Sequence, residues 1–91
     1  MNKQQAQGYI KRFFDEKEIP YQMFEFVDEY GNNHLIDNEA VIESIKDAHP
    51  GYQTPIANQL LKIDFHNGDV NHFLKYVAKG MIEMAGRKVV S

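Results

Sequence analysis

The chain has 91 residues, of which 43% are hydrophobic and 25% are charged, and its net charge is −3 at pH 7. This length predicts one small domain, residues 1–91, and the abundance of Phe and Tyr excludes a disordered chain. The lack of cysteine excludes a disulfide scaffold, a thiol nucleophile and a cysteine-ligated metal. With no apolar stretch of signal-peptide or membrane-spanning length, we expect a soluble cytoplasmic protein without membrane contact.

The first predicted element is an amphipathic helix within residues 2–20. Its apolar side chains recur every three or four residues and therefore share one helix face: Ala6, Tyr9, Ile10, Phe13 and Phe14. Pro20 ends the element, because proline disfavours helical geometry in the residue before it.

A β-hairpin is predicted next. The segment "YQMFEFV" is dense in aromatic and β-branched residues and precedes the turn formers "DEYGNN", and a second short strand follows at residues 33–36. Alternation places Phe24 and Phe26 on one face and Met23 and Val27 on the other. Two strands alone are marginally stable, so we expect the helices to cover at least one face.

Two helices are predicted after the hairpin from their start signals. Asp37 is suited to cap the first of them, because its carboxylate can accept free amide hydrogens of the first turn, and residues 49–51 end it. Thr54 as N-cap with Pro55 at the first helical position predicts the start of the second.

The last helix is predicted to begin after Gly68 and to end at Gly86, which suits a left-handed C-terminal cap. Its apolar face comprises Val70, Phe73, Leu74, Val77, Met81 and Met84. The predicted fold is therefore α+β and mostly helical: an N-terminal helix, a β-hairpin and then three helices around one core.

Residues 62–74, "KIDFHNGDVNHFL", admit two interpretations. Their metal-binding candidates are Asp64, His66, Asp69 and His72. In the alternative, Asn67 and Gly68 adopt positive φ and close one helix, Asp69 caps the next, and the turn buries Phe65. Because the spacing matches neither an EF-hand nor "HEXXH", we predict a turn and no metal ligand.

The sequence contains no recognisable catalytic or cofactor motif. Neither "GXXXXGKS" nor "GXGXXG" is present. Ser44 lies within a predicted helix and lacks the glycines of a nucleophile elbow. We therefore expect no catalytic residue and no cofactor, and interpret the chain as a small non-enzymatic accessory or regulatory protein.

The charge is distributed unevenly. Residues 1–51 carry five basic and ten acidic residues, and residues 18–50 carry eight acidic residues against Lys46 alone. Such an acidic surface can steer and orient a basic protein partner, and tyrosines near turns are frequent interface anchors. The predicted contact residues are Glu25, Asp28, Glu29, Tyr30, Glu39 and Glu43.

The same uneven charge is compatible with ordinary solubility or with self-association. Solubility accounts for acidic residues without any partner. Alternatively, the acidic part of one copy could contact the more basic residues 52–91 of a second copy, which would give a homo-oligomer.

The alternative function is nucleic-acid binding by the outer face of the last helix. Lysines there would hold phosphates, while Asn and His would contact base edges. The predicted residues are Lys62, Asn71, His72, Lys75 and Lys79, with additional contacts from Arg87 and Lys88. The acidic isoelectric point of about 5.7 argues against this function, because nucleic-acid-binding domains are usually basic.

Overall fold

The computed structural model describes the backbone of residues 2–90 and the side chains of residues 2–84. Helix α1 (Lys3–Glu16) is followed by the antiparallel strands β1 (Met23–Val27) and β2 (Asn33–Asp37). Three helices complete the order: α2 (Asn38–Lys46), α3 (Pro50–Phe65) and α4 (Val70–Val90). The predicted α+β fold, mostly helical, is confirmed. Over the described residues, every helix is too short or too polar to cross a membrane.

The core lies where the helices meet under the hairpin. Helix α1 packs along α3, and α2 packs against α4. Helix α1 begins at a capping box: the side chain of Asn2 accepts the backbone N–H of Gln5, and the side chain of Gln5 accepts the backbone N–H of Asn2. The apolar stripe predicted for this helix faces the core, where Ile10 is buried beside the largest fully buried side chains of the other elements: Phe24, Val41, Ile45, Leu60 and Leu74.

The hairpin has one covered face and one open face. In its register Phe24 pairs with Ile36, and Phe24 is only 2% exposed beneath the helices. Met23 and Val27 point to the opposite face and are exposed. The predicted division of the two faces is therefore confirmed.

Helix α3 begins earlier than predicted. It starts at Pro50, and the Nδ1 atom of its N-cap, His49, accepts the N–H of Gly51 at 3.0 Å. The prediction of a start at Thr54 and Pro55 is wrong, because Pro50 meets the same requirement five residues sooner. The earlier start buries Gln53, whose side-chain amide donates to the carbonyl of Lys46 at 3.3 Å and ties α3 to the end of α2.

The predicted turn between α3 and α4 is confirmed. Asn67 has a φ of +52°, and the N–H of Gly68 donates to the carbonyl of Ile63 at 2.8 Å. This bond across the helix end is typical of a Schellman motif. The carboxylate of Asp69 then accepts the N–H of Asn71 at 2.9 Å, which caps the first turn of α4.

Two further details, one in the turn and one at the end of α4, differ from the prediction. Phe65 is 82% exposed, because the turn is closed by backbone hydrogen bonds and lies against the side chain of Ile63 instead. Helix α4 continues through Gly86 to Val90, since a glycine costs a helix only about 1 kcal/mol and does not by itself end it.

Candidate interaction surface

A buried amide network holds the base of the hairpin to α4. The side chain of Asn38 donates to the carbonyl of Pro20 and to Oδ1 of Asn71, both at 2.9 Å, and accepts the N–H of Gln22 at 3.3 Å. Asn71 donates to the same Pro20 carbonyl at 3.0 Å. Because unpaired buried amides are costly, this network fixes how the hairpin sits on the helices. Sequence reasoning missed it, since nothing in one sequence distinguishes these asparagines from surface ones.

The outer face of the hairpin carries apolar side chains around a carboxylate. Glu25 pairs with Leu35 across the strands, and Met23 and Val27 flank Glu25 along β1. The three apolar side chains are 49% to 66% exposed. This face can therefore contact a group that is both apolar and positively charged.

Asp28 organises the tip of the hairpin. Its Oδ1 accepts the N–H groups of Tyr30 and Asn32, each at 2.9 Å, and its Oδ2 lies 2.8 Å from Nε2 of His34. Gly31 completes the turn with a φ of +82°, which glycine adopts at little cost. The hydrogen bond to His34 and those from the backbone hold the pKa of Asp28 below its usual value. Asp28 therefore supports the turn, while Tyr30 and the neighbouring Glu29 are left exposed.

A second acidic group lies where β2 enters α2. One oxygen of Asp37 accepts the N–H of Ala40 at 2.8 Å, and the other accepts the hydroxyl of Tyr21 at 3.2 Å. Local desolvation raises the pKa of Tyr21, and the carboxylates of Asp37 and Glu39 raise it further. Glu39 and Glu43 are exposed one turn apart on α2.

The single basic residue within residues 18–50 does not face these carboxylates. Lys46 lies at the last turn of α2, where its Nζ is 3.3 Å from Oδ1 of Asp15 in α1. Its charge is therefore directed to α1, and the acidic groups of the hairpin and of α2 keep their net negative charge.

The metal-binding candidates of residues 62–74 are dispersed. Asp64 forms an ion pair with Lys17 of α1, and Asp69 caps α4. Over the residues whose side chains are described, no three His, Asp or Glu side chains come together as a metal site would require.

The outer face of α4 retains most of its predicted residues. His72, Lys75 and Lys79 are exposed on α4 and Lys62 is exposed on α3. Asn71, predicted as a base contact, does not lie on this face: the residue is 6% exposed, and its side-chain oxygen and nitrogen both take part in the buried network. The side chains of Arg87 and Lys88 lie outside the described residues.

An open groove of about 560 Å³ lies between α3 and α4. Its apolar lining comes from Ile63, Phe73 and Tyr76, and its polar lining includes His72 and Asp69. Asp69 already caps α4, so its carboxylate is engaged by the backbone of the protein.

No family model, curated protein or solved structure matches this chain. Its function is therefore inferred from the described residues alone. Two exposed surfaces are candidates. We term the first the hairpin surface, which comprises Met23, Glu25, Val27, Glu29, Tyr30, Leu35, Glu39 and Glu43. We term the second the lysine face, which comprises Lys62, His72, Lys75 and Lys79.

Proposed function

We propose that this protein is a non-enzymatic accessory or regulatory module that binds a basic segment of another protein through the hairpin surface. The observation that carries the proposal is the exposure of Met23, Val27 and Leu35 around Glu25. The cytoplasm as its compartment belongs to the same proposal and is supported by the lack of cysteine.

Solubility alone accounts for the acidic residues but not for the apolar ones. Isolated exposed apolar residues are normal, whereas a group of them on one face typically marks a contact site. Met23, Val27 and Leu35 share one face of a two-stranded sheet. Burying them against a partner would contribute free energy, while the surrounding carboxylates would set the partner's charge and orientation.

Nucleic-acid binding through the lysine face is the second candidate. It is supported by the exposure of Lys75 and Lys79 on one face of α4, with Tyr76 exposed beside them. Two observations weigh against it: the net charge of −3 and the burial of Asn71, which removes the side chain best suited to read an adenine.

The proposal is tested by amide NMR titration with two synthetic peptides. One peptide alternates Lys and Val, and the control alternates Glu and Val. We expect chemical-shift changes in β1, β2 and the first turn of α2 with the lysine peptide only, and we expect them to weaken as salt rises. Equal shifts with both peptides, or none with either, would overturn the proposal.

Matched charge reversals locate the contact. The double variant Glu25→Lys/Glu39→Lys should weaken binding of the lysine peptide by about tenfold, because two exposed attractive pairs become repulsive. The control Lys75→Glu/Lys79→Glu changes as many charges on the lysine face and should leave this binding unreduced. If only the control weakened binding, the hairpin surface would not be the site.

A short mixed-sequence DNA duplex is the third ligand in the same titration. Shifts at His72, Lys75 and Lys79 that fall steeply with salt would indicate phosphate contacts and would favour the second candidate. An unchanged spectrum at low salt would exclude it.

A further inference from the structure

Within the part of the chain that the structure describes, the sheet consists of β1 and β2 alone, so each strand has an outer edge whose backbone groups lack a strand partner. The N–H of Asp28 donates to the carbonyl of Asn32, and that of Asn38 donates to the carbonyl of Gln22. Because hydrogen-bonded and non-hydrogen-bonded pairs alternate along an antiparallel ladder, these bonds set the direction of every backbone group between them. The backbone N–H and C=O groups that point away from the partner strand are therefore those of Asn33, Leu35 and Asp37 in β2. In β1 they are those of Met23, Glu25 and Val27.

The outer edge of β2 is complementary to itself. If two β2 strands pair antiparallel about Leu35, each Leu35 lies opposite its copy and exchanges two backbone hydrogen bonds with it. Asn33 of each copy then lies opposite Asp37 of the other, which places an amide donor across from a carboxylate. The oxygens of Asp37 also accept from Ala40 and Tyr21, and each keeps a second lone pair for this donor. Leu35 is 66% exposed, so its side chain would gain an apolar neighbour from the second copy.

The outer edge of β1 lacks this complementarity. Antiparallel pairing about its central residue would place Glu25 directly opposite a second Glu25. Like charges directly opposite each other destabilise a strand pair. The two edges of the same small sheet therefore differ in their capacity for self-association.

We propose that β2 of this protein pairs with β2 of a second copy, which joins the two hairpins into one four-stranded antiparallel sheet. Such pairing satisfies backbone groups that are otherwise left to solvent at a sheet edge. It leaves the side chains of Met23, Glu25 and Val27 on the open face of the sheet, so it does not require or prevent binding of a basic partner. The interface is symmetric, as a two-fold dimer requires.

Two matched proline variants test this dimer by sedimentation equilibrium over a concentration series. Leu35→Pro removes an N–H that points away from β1, so the hairpin ladder is retained. Two intersubunit hydrogen bonds are lost per dimer, and the dimer dissociation constant should rise about tenfold to a hundredfold. Glu25→Pro makes the same change at the other edge and should leave the dimer intact.

Two charge variants keep the backbone unchanged and guard against misfolding of the proline variants. Asn33→Asp places a carboxylate opposite Asp37 of the second copy and should weaken the dimer. Asn33→Lys places an ammonium there and should strengthen it. Circular dichroism spectra that match that of the unaltered protein show that each variant is folded.

Amide hydrogen exchange identifies which strand edge forms the dimer interface. Protection of the amides of Asn33, Leu35 and Asp37 should rise with protein concentration, while those of Met23, Glu25 and Val27 should not change. A monomer at every concentration would overturn the proposal, as would equal effects of the two proline variants. Concentration-dependent protection at β1 or on the lysine face would indicate a different dimer and would also overturn it.

Discussion

The base and the outer face of the hairpin use polar side chains in opposite ways. At the base, Asn38 and Asn71 are 1% and 6% exposed and satisfy each other and the carbonyl of Pro20. On the outer face, Glu25 lies among exposed apolar side chains and forms no hydrogen bond or ion pair with the described residues. Buried polar groups are costly unless they are paired, so the base holds the hairpin in place, whereas the outer face stays exposed.

The comparison shows that residue type alone does not assign a role. Asp28 and Glu29 are adjacent acidic residues, yet Asp28 binds the turn while Glu29 is exposed. Asn71 and His72 are adjacent residues of α4, yet only Asn71 is buried. The role depends on which way each side chain points once the elements have packed. Substitution of a buried or hydrogen-bonded residue should therefore destabilise the protein more than substitution of an exposed neighbour.

The two faces of β1 should differ most in their contribution to stability. Phe24→Ala removes a buried ring and should lower the free energy of unfolding by about 3–5 kcal/mol. Val27→Ala removes exposed atoms on the other face and should change it by no more than about 0.5 kcal/mol. Urea unfolding followed by circular dichroism measures both, and similar losses would show that the outer face is also buried.

Asn71 of the buried network should contribute to the free energy of unfolding, whereas its neighbour His72 should contribute little. Asn71→Ala leaves one amide hydrogen of Asn38 without its partner and should lower the free energy of unfolding by about 1–3 kcal/mol. His72→Ala, one residue later and exposed, is the control and should stay within about 0.5 kcal/mol. Equal urea midpoints for the two variants would contradict the network.

The hairpin tip should show the smallest effect, and it should depend on pH. The pKa of Asp28 is lowered from 3.8 in the folded protein, so the folded state binds fewer protons than the unfolded state in that range. Its stabilising contribution is therefore present above pH 3.8 and is lost as the pH falls through the folded-state pKa. The difference in urea midpoint between the protein and Asp28→Asn should be constant at higher pH and close in acid. A difference that stays unchanged at every pH would show that the carboxylate charge is not involved.

Features that depend on neighbouring residues were predictable from the sequence. The cap at Asp37, the turn at Asn67 and Gly68, and the cap at Asp69 act over a few residues and appear as predicted. The alternation in β1 predicted that Phe24 would lie on the opposite face from Met23 and Val27, as observed, but did not specify which face the helices would cover. The start of α3 was not predictable in this way, since both Pro50 and Pro55 satisfy the local rule.

The candidate surface was predictable only in part. Glu25, Glu29, Tyr30, Glu39 and Glu43 are exposed as an interaction surface requires, whereas Asp28 is engaged in the turn. The apolar residues that give this surface its character were recognised only as the opposite face of a strand. Whether that face would be covered depended on the packing of the helices.

The sequence by itself determined the order of the elements, the caps at Asp37 and Asp69, and the apolar stripes that face the core, because these features arise from interactions within a few residues of the chain. The tertiary structure alone decided that Asn71 is buried, that Phe65 is exposed and that, among the described residues, no strand pairs with the outer edge of β2. Asn38 and Asn71 are 33 residues apart in the chain, and no local pattern specifies a contact at that separation. Such contacts form only when packing of the whole core brings distant segments together.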